Sequence, residues 1–339
     1  MFIEEIIKYN SVSIVGLAKN AGKTECLNYI LSRVRESGKC FALTSIGIDG
    51  ESCDQVTQTP KPEITLYAGM YFMTTEKHYH QRKIVSEIVD IGTQRTALGR
   101  LVTARAITHG KVLLSGPPDT HSLRAAIQEV RRFGVDITLV DGALSRLSLG
   151  SPAVTEAMVL VTGAAVSGNI PQLVQKTRYV YDLVQLEAVD ESTRDKLSGL
   201  ENGLWAIDND GTIHDLEIPS VFMLEQHKEK IFRYGTTLFA TGAISDNLLQ
   251  FLRAQKQVQN ITLIIKDFTR VFASMESYYA YLKRGGTIKV LQKSTLLAVC
   301  INPCSPEGYS LDSGKLQEAL QQSLHLPVYD VKRLSQTLN

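Results

Sequence analysis

The sequence predicts an α/β protein: a mainly parallel sheet flanked by helices, plus a second α/β domain. Three observations predict it. Apolar runs of strand length alternate with helical patterns through the first half, the order that gives a parallel sheet covered on both faces. The stretch SIVGLAKNAGKTECLNYIL, Ser13–Leu31, sets Gly-Lys-Thr between a buried strand and a helix. The chain has 339 residues, more than one hydrophobic core usually serves. The expected division is a first domain over 1–188, a linker over the polar run VDESTRDKLSGLENG at 189–203, and a second domain over 204–339.

The elements follow in order. Ser11–Val15 is a short apolar strand ending at Gly16. After Lys23, the residues Leu27, Ile30, Leu31 and Val34 fall on one helical face, and Gly38 reads as the C-terminal cap. Lys39–Ile46 reads as a buried strand, and so does Lys111–Leu114, which runs into SGPP. Between them, Pro60–Arg82 is rich in Tyr, Met and His and reads as an insertion. Leu123, Ala126, Ile127 and Val130 form a helical stripe that ends near Gly134. Asp136–Val140 and Met158–Val161 are the next buried strands, the latter followed by a helix through Leu173, Val174, Tyr179 and Leu183. Strands expected in the second half are Leu204–Ile207, Thr237–Ala240, Ile261–Ile265, Thr287–Leu291, Leu296–Ile301 and Pro327–Val331. There is no internal repeat and no low-complexity segment.

Composition narrows the function classes. Hydrophobic residues make up 44% and charged residues 21% of an ordinary globular composition. A net charge of +1 argues against nucleic acid as a partner, because duplex binding needs many Lys/Arg–phosphate contacts. No apolar run reaches the roughly 18–20 residues of a membrane span, and MFIEEIIKYN lacks the basic start and apolar core of a signal peptide. Five scattered cysteines, Cys26, Cys40, Cys53, Cys300 and Cys304, read as reduced thiols. The expectation is a cytoplasmic protein with no membrane association.

The segment from Gly16 to Thr24 is the main candidate site. A helix N-terminus offers unpaired N–H groups and a partial positive charge, both of which favour phosphate. Gly16 and Gly22 let backbone amides approach without a Cβ in the way. Lys23 can reach the β- and γ-phosphates, and the Thr24 hydroxyl can hold Mg²⁺. Gly16, Lys19, Asn20, Ala21, Gly22, Lys23 and Thr24 together are the expected contacts to ATP or GTP. The first glycine stands one residue earlier than in G-x-x-x-x-G-K-[ST]. An ordinary Gly-containing strand–helix turn is the alternative reading.

The run LAKNAGKT resembles the loop of SIMIBI-class P-loop NTPases, which include dethiobiotin synthetase, the molybdopterin-guanine dinucleotide accessory proteins and the ParA-like ATPases. Dethiobiotin synthetases share the longer interval from the first glycine, and Lys-Asn-x-Gly-Lys-Thr resembles the molybdopterin accessory proteins. The resemblance implies that Lys19 corresponds to the extra lysine of these loops. In ParA-like dimers that lysine crosses to the partner's nucleotide, so a homodimer is implied; a solvent-facing Lys19 is the alternative.

Carboxylates complete the expected site. Asp141 follows an apolar strand in DITLVDGALSR, where a Mg²⁺-shell carboxylate beside the loop would stand, although a plain turn also uses Asp-Gly. In SIMIBI proteins an acidic residue just past the second strand holds Mg²⁺ or orients the attacking water. Asp49 in TSIGIDGESCD is the candidate, with Glu51 and Asp54 as rivals. Lys23, Asp49 and Asp141 are the expected catalytic groups, and Thr24, Asp49 and Asp141 the expected metal ligands. Ser115 and Gly116 close a strand where a substrate or switch loop would lie. Thr162 and Gly163 are placed to approach base or ribose.

Other constellations are weaker. Cys300 and Cys304 are spaced C-x₃-C, but structural zinc usually wants a second pair, and strand-flanking thiols are the plainer reading. His78 and His80 would share a face on a strand and be solvated on a loop. Arg95, Arg100 and Arg105 flank a helical pattern in TQRTALGRLVTARA and could grip an acidic partner, or simply form a charged solvent face.

Across both halves, TSIGIDGE, VDGALSR, VTGAAVSGN and AVCINPCSPEGYSLDS are similar to the KamB-type subunit of lysine aminomutase reactivases. That resemblance implies an NTP-hydrolysing accessory protein that works with an ATPase partner subunit on a client enzyme, a cobalamin-dependent aminomutase. Two alternatives stand beside it. One is an ATP-dependent small-molecule synthetase resembling dethiobiotin synthetase; the other is a module that holds nucleotide without turnover.

Overall fold

The computed structural model describes residues 2–47, 63–142, 150–218, 224 and 227–336. They form two compact units, Met1–Thr177 with Thr295–Asn339 and Arg178–Ser294. The first unit opens with helix α1 (Phe2–Ile6) and strand β1 (Ser11–Gly16), buried along its whole length. Helix α2 (Lys23–Val34) follows, then strands β2 (Phe41–Ser45), β3 (Ile64–Leu66) and β4 (Tyr71–Thr75) and helix α3 (Glu76–His80). Next come β5 (Ser86–Thr96), β6 (Gly99–Ala106), β7 (Gly110–Val112), α4 (Thr120–Val130), β8 (Ile137–Gly142) and β9 (Ala157–Gly163). Helix α5 (Ile170–Val184) leads out of this unit.

The second unit contains strands β10 (Glu187–Ala188), β11 (Leu204–Ile207), β12 (Ile213–Ile218), β13 (Thr237–Ala240), β14 (Thr262–Ile265) and β15 (Thr287–Val290). Its helices are α6 (Glu191–Ser198), α7 (Lys228–Ile231), α8 (Asp246–Arg253) and α9 (Met275–Lys283). The sheet runs β10-β15-β14-β13-β11-β12, parallel from β10 to β13 and antiparallel at β11 and β12. The 189–203 run is no linker. Asp190 caps α6 by accepting from the Thr193 amide, and Leu197 anchors that helix in a core with Phe239, Ile264 and Leu291.

The chain then returns to the first unit as β16 (Thr295–Asn302), α10 (Ser313–Leu324), β17 (Val328–Asp330) and α11 (Val331–Gln336). The expected second domain over 204–339 is therefore cut at 294. The reason is physical: β16 is buried at Ala298–Ile301 and finds its cover by lying parallel between β9 and β17. The nine-stranded sheet runs β17-β16-β9-β1-β8-β2-β4-β6-β5. It is parallel from β17 to β4 and closes with the antiparallel hairpin β5–β6.

Strand β2 shows how both faces are used. Phe41 and Leu43 join the core under α2, which also takes Leu27, Ile30, Leu31 and Val34. Ala42 faces the other way, to Ala126 and Val130 of α4. Three further expectations are corrected. The expected insertion over Pro60–Arg82 is corrected for its described part, 63–82, because β4 pairs with β2 and extends the main sheet. Lys111–Leu114 is not a strand of that sheet; β7 pairs with β3 in a separate two-stranded sheet, and its Lys111 also bridges to Lys83. The pattern around Arg95–Arg105 is the β5–β6 hairpin rather than a helix. It turns through Ala97 and Leu98 into Gly99, whose φ of +94° suits glycine, and β-branched Ile88, Val89, Ile91, Val102 and Thr103 favour strands.

Candidate functional site

Strand β1 lies between β8 and β9, and all three run parallel, so their carboxyl ends open on the same edge. The chain after Gly16 does not turn at once. The Leu17 amide still donates to the Val161 carbonyl of β9 at 2.8 Å, adding one rung to the ladder. The turn then closes over four residues, with the Ala21 amide donating to the Ala18 carbonyl at 3.2 Å. Asn20 and Gly22 adopt left-handed conformations, φ 61° and 99°. Asparagine and glycine are the residues that do so most readily. The extra residue in the loop is thus absorbed by the strand. Gly22 stands at the N-cap position of α2 and has no side chain to cap that helix end.

Lys23, the first residue of α2, is half-buried and folds back over Gly16. A Cβ on Gly16 would stand 2.8 Å from Lys23 Cγ and 3.3 Å from Nζ. This explains the first glycine: its missing side chain is the channel for the lysine. Burial pushes the Lys23 amine below its ordinary value, and the negative charge of Asp141 works in the opposite direction. Asp141 sits in β8 opposite Ile14 of β1, with its Oδ1 shielded from solvent. The Ser45 hydroxyl at the end of β2 donates to the Asp141 carbonyl at 3.2 Å. Thr24 is half-buried one residue into the helix, and Lys19 is exposed on the turn.

Other expected contacts fall elsewhere. Ser115 is buried, and its hydroxyl lies 2.7 Å from Thr75 Oγ1, 2.9 Å from His78 Nδ1 and 3.2 Å from Thr74 Oγ1. It also accepts from the Thr75 amide at 3.0 Å. That hydroxyl is committed to an internal network and does not face a substrate. Gly116 lets the same segment press against β2, since a Cβ there would stand 1.6 Å from the Ser45 carbonyl oxygen. Thr162 is also buried, its hydroxyl 2.9 Å from that of Thr177, so it is not offered to base or ribose. Gly163 packs against the backbone of Asn302 instead. Asp49, Glu51 and Asp54 lie outside the described residues, as does Cys53.

His78 and His80 lie on α3, where two residues' separation turns side chains roughly 200° apart. Arg100 is held by Glu76, 2.9 Å from Nε to Oε1, and Arg95 and Arg105 are exposed along the hairpin. Cys300 is buried, its thiol hydrogen-bonded to Cys26 of α2, and burial pushes its pKa up. Cys304 differs: Ser310 and then Lys332, at 3.2 Å, donate to its sulfur and hold its pKa below the usual value. Among the described residues no group of three or more His, Cys, Asp or Glu is placed to hold a metal ion.

The residue that sequence reasoning missed is Asn302. It ends β16 and its side chain packs on Gly22, where a Cβ would stand 2.7 Å from Asn302 Cβ and 2.9 Å from Nδ2. Its Oδ1 accepts from the Cys304 amide and its carbonyl from the Ala164 amide. The Asn-Pro pair after an apolar strand was the available signal, marking a strand end at a turn.

Chemically, the N-terminus of α2, the left-handed glycine and the lysine folded beside it form a cradle suited to an anion. Thr24 and Asp141 offer the hard oxygen donors that Mg²⁺ prefers. The residues present therefore fit a Mg²⁺–nucleotide phosphate. Among the described residues no helix is long and apolar enough to cross a membrane. Compared with protein-family models, curated proteins and solved structures, the chain matches none.

Proposed function

We propose that this chain binds a nucleoside triphosphate with Mg²⁺ at the β1–α2 loop and hydrolyses it as an accessory protein acting on a client enzyme. The observation that supports this most is Lys23 lying along Gly16, at a helix N-terminus and under the charge of Asp141. In this reading the loop amides and Lys23 hold the phosphate oxygens and neutralise charge as it shifts to the leaving group. Thr24 and Asp141 would hold Mg²⁺, which would supply positive charge beside the phosphates. Asp49, with Glu51 and Asp54 as rivals, is the acidic residue expected from the sequence to help hold Mg²⁺ or to orient the attacking water.

The client reading rests on the resemblance to aminomutase reactivase subunits. The synthetase alternative calls for an acidic-substrate pocket near Ser115 and the loop, and the Ser115 hydroxyl there is bonded to Thr75 and His78. The test is phosphate release from ATP and from GTP with Mg²⁺, with and without a cobalamin-dependent aminomutase carrying inactivated cofactor. Release stimulated by the damaged enzyme is expected. Release that depends instead on a small carboxylate substrate would favour the synthetase, and binding without release would favour the static module.

A further inference from the structure

We infer that Asn302 is a positioning residue for the phosphate loop, so that the returning C-terminal strand sets the affinity of a site built at the other end of the sequence. The inference rests on the phosphate-site reading above and adds a residue to it.

Asn302 is fixed on two sides before it meets the loop. Its backbone carbonyl accepts from Ala164 at 2.9 Å, and Gly163 approaches so closely that a Cβ there would stand 2.0 Å from that oxygen. Its side-chain Oδ1 accepts from the Cys304 amide at 3.1 Å, which sets the amide plane. With the oxygen committed, Cβ, Cγ and Nδ2 are turned to Gly22, all within about 3.1 Å of where a Cβ would be.

Gly22 is the residue whose left-handed backbone aims the first amides of α2. A glycine at that position has no side chain of its own to limit its backbone, and it loses more freedom on ordering than any other residue. The wall made by Asn302 removes alternatives that glycine would otherwise sample. Asn302 therefore acts through Gly22, by holding the amides at the spacing a phosphate group needs.

The chemistry of the ligand decides the test. A residue that shapes the phosphate cradle affects every ligand with the same phosphates, whatever else that ligand carries. The probes are ADP and inorganic pyrophosphate, each with Mg²⁺, titrated by calorimetry into wild type, Asn302→Ala and Lys23→Met. Asn302→Ala is expected to weaken ADP and pyrophosphate to the same degree, about tenfold, the lower end of what losing such a supporting partner costs. Gly22→Ala combined with Asn302→Gly is expected to bind better than Gly22→Ala alone, because the second change removes the opposing Cβ. That coupling would be missing if Asn302 served stability only.

Unchanged affinity in Asn302→Ala would overturn the inference. So would a loss confined to ADP, which would make Asn302 a contact to base or ribose. Lys23→Met separates the two levels. If it binds both probes like wild type, the phosphate-site reading itself fails; if it loses both while Asn302→Ala keeps them, only the role of Asn302 fails.

Discussion

Adding one methyl group at Gly16 should separate what this loop does for binding from what it does for folding. In Gly16→Ala the new Cβ would stand 2.8 Å from Lys23 Cγ, 3.0 Å from Cδ and 3.3 Å from Nζ. Carbon atoms in contact prefer roughly 3.5–4.0 Å, so something must move. The three nearest atoms belong to one flexible side chain, and Gly16 is not among the residues with positive φ. The backbone can stay, and the lysine must swing away. Forcing a side chain off its rotamer costs about 0.5–1.5 kcal/mol, which bounds the loss of stability. The loss of binding should be larger. A hydrogen bond to a charged group is worth about 1.5–3 kcal/mol, or roughly ten- to a hundredfold in Kd. Calorimetry with Mg-ADP and a urea unfolding curve on the same preparation measure both. Lowered stability with unchanged Kd would refute the reasoning, because it would show that the channel for Lys23 is only a packing feature.

Gly116→Ala should behave in the opposite way. Its Cβ would collide with the Ser45 backbone, and we expect a loss of about 3 kcal/mol or more in urea unfolding; a midpoint like wild type would contradict the close approach. Asp141→Asn keeps shape and removes charge. It should weaken Mg²⁺-dependent nucleotide binding about tenfold or more, about 1.4 kcal/mol, and leave binding in EDTA largely intact. Equal losses in the two conditions would take Asp141 out of the metal shell. Lys23→Met should be more stable than wild type near neutral pH without ligand, since burial opposes the charged amine. The sign follows from linkage: the unfolded chain holds that proton more tightly, so the wild-type deficit shrinks as pH rises toward the ordinary lysine value of 10.5. Urea midpoints of the two proteins that diverge with rising pH would contradict it. Lys332→Met should slow alkylation of Cys304 at neutral pH and move its pH profile upward, because the donated bond that favours the thiolate is gone; an unchanged profile would remove Lys332 from that role.

Legibility followed the distance over which information had to travel. The β1–α2 unit was readable because strand, loop glycines and the stripe Leu27, Ile30, Leu31 and Val34 all lie within one short stretch. Strands Leu204–Ile207 and Thr237–Ala240 were placed correctly for the same reason: short apolar runs bounded by turn signals. Sheet membership was not readable. Nothing in the residues of β16 says that its partner is β9, since an apolar strand of that composition fits any central position. The domain boundary and Asn302 were missed together, because both depend on that one pairing. The hairpin around Gly99 was misread because TALGRL alone suits a helix as well as a turn. Strand-end position alone puts Ser115 near a substrate or switch loop and Thr162 near base or ribose. Small hydroxyl residues there can equally turn inward and satisfy one another, as Ser115 does with Thr75.

The central claim is that Lys23 and the amides beside it hold nucleotide phosphate. Titration of Mg-ATP and Mg-GTP into wild type and Lys23→Met by calorimetry tests it most directly. Saturable binding of at least one nucleotide at one site per chain is expected, abolished in Lys23→Met while that variant stays folded. Binding of equal affinity in the two proteins, or none in wild type, would contradict it.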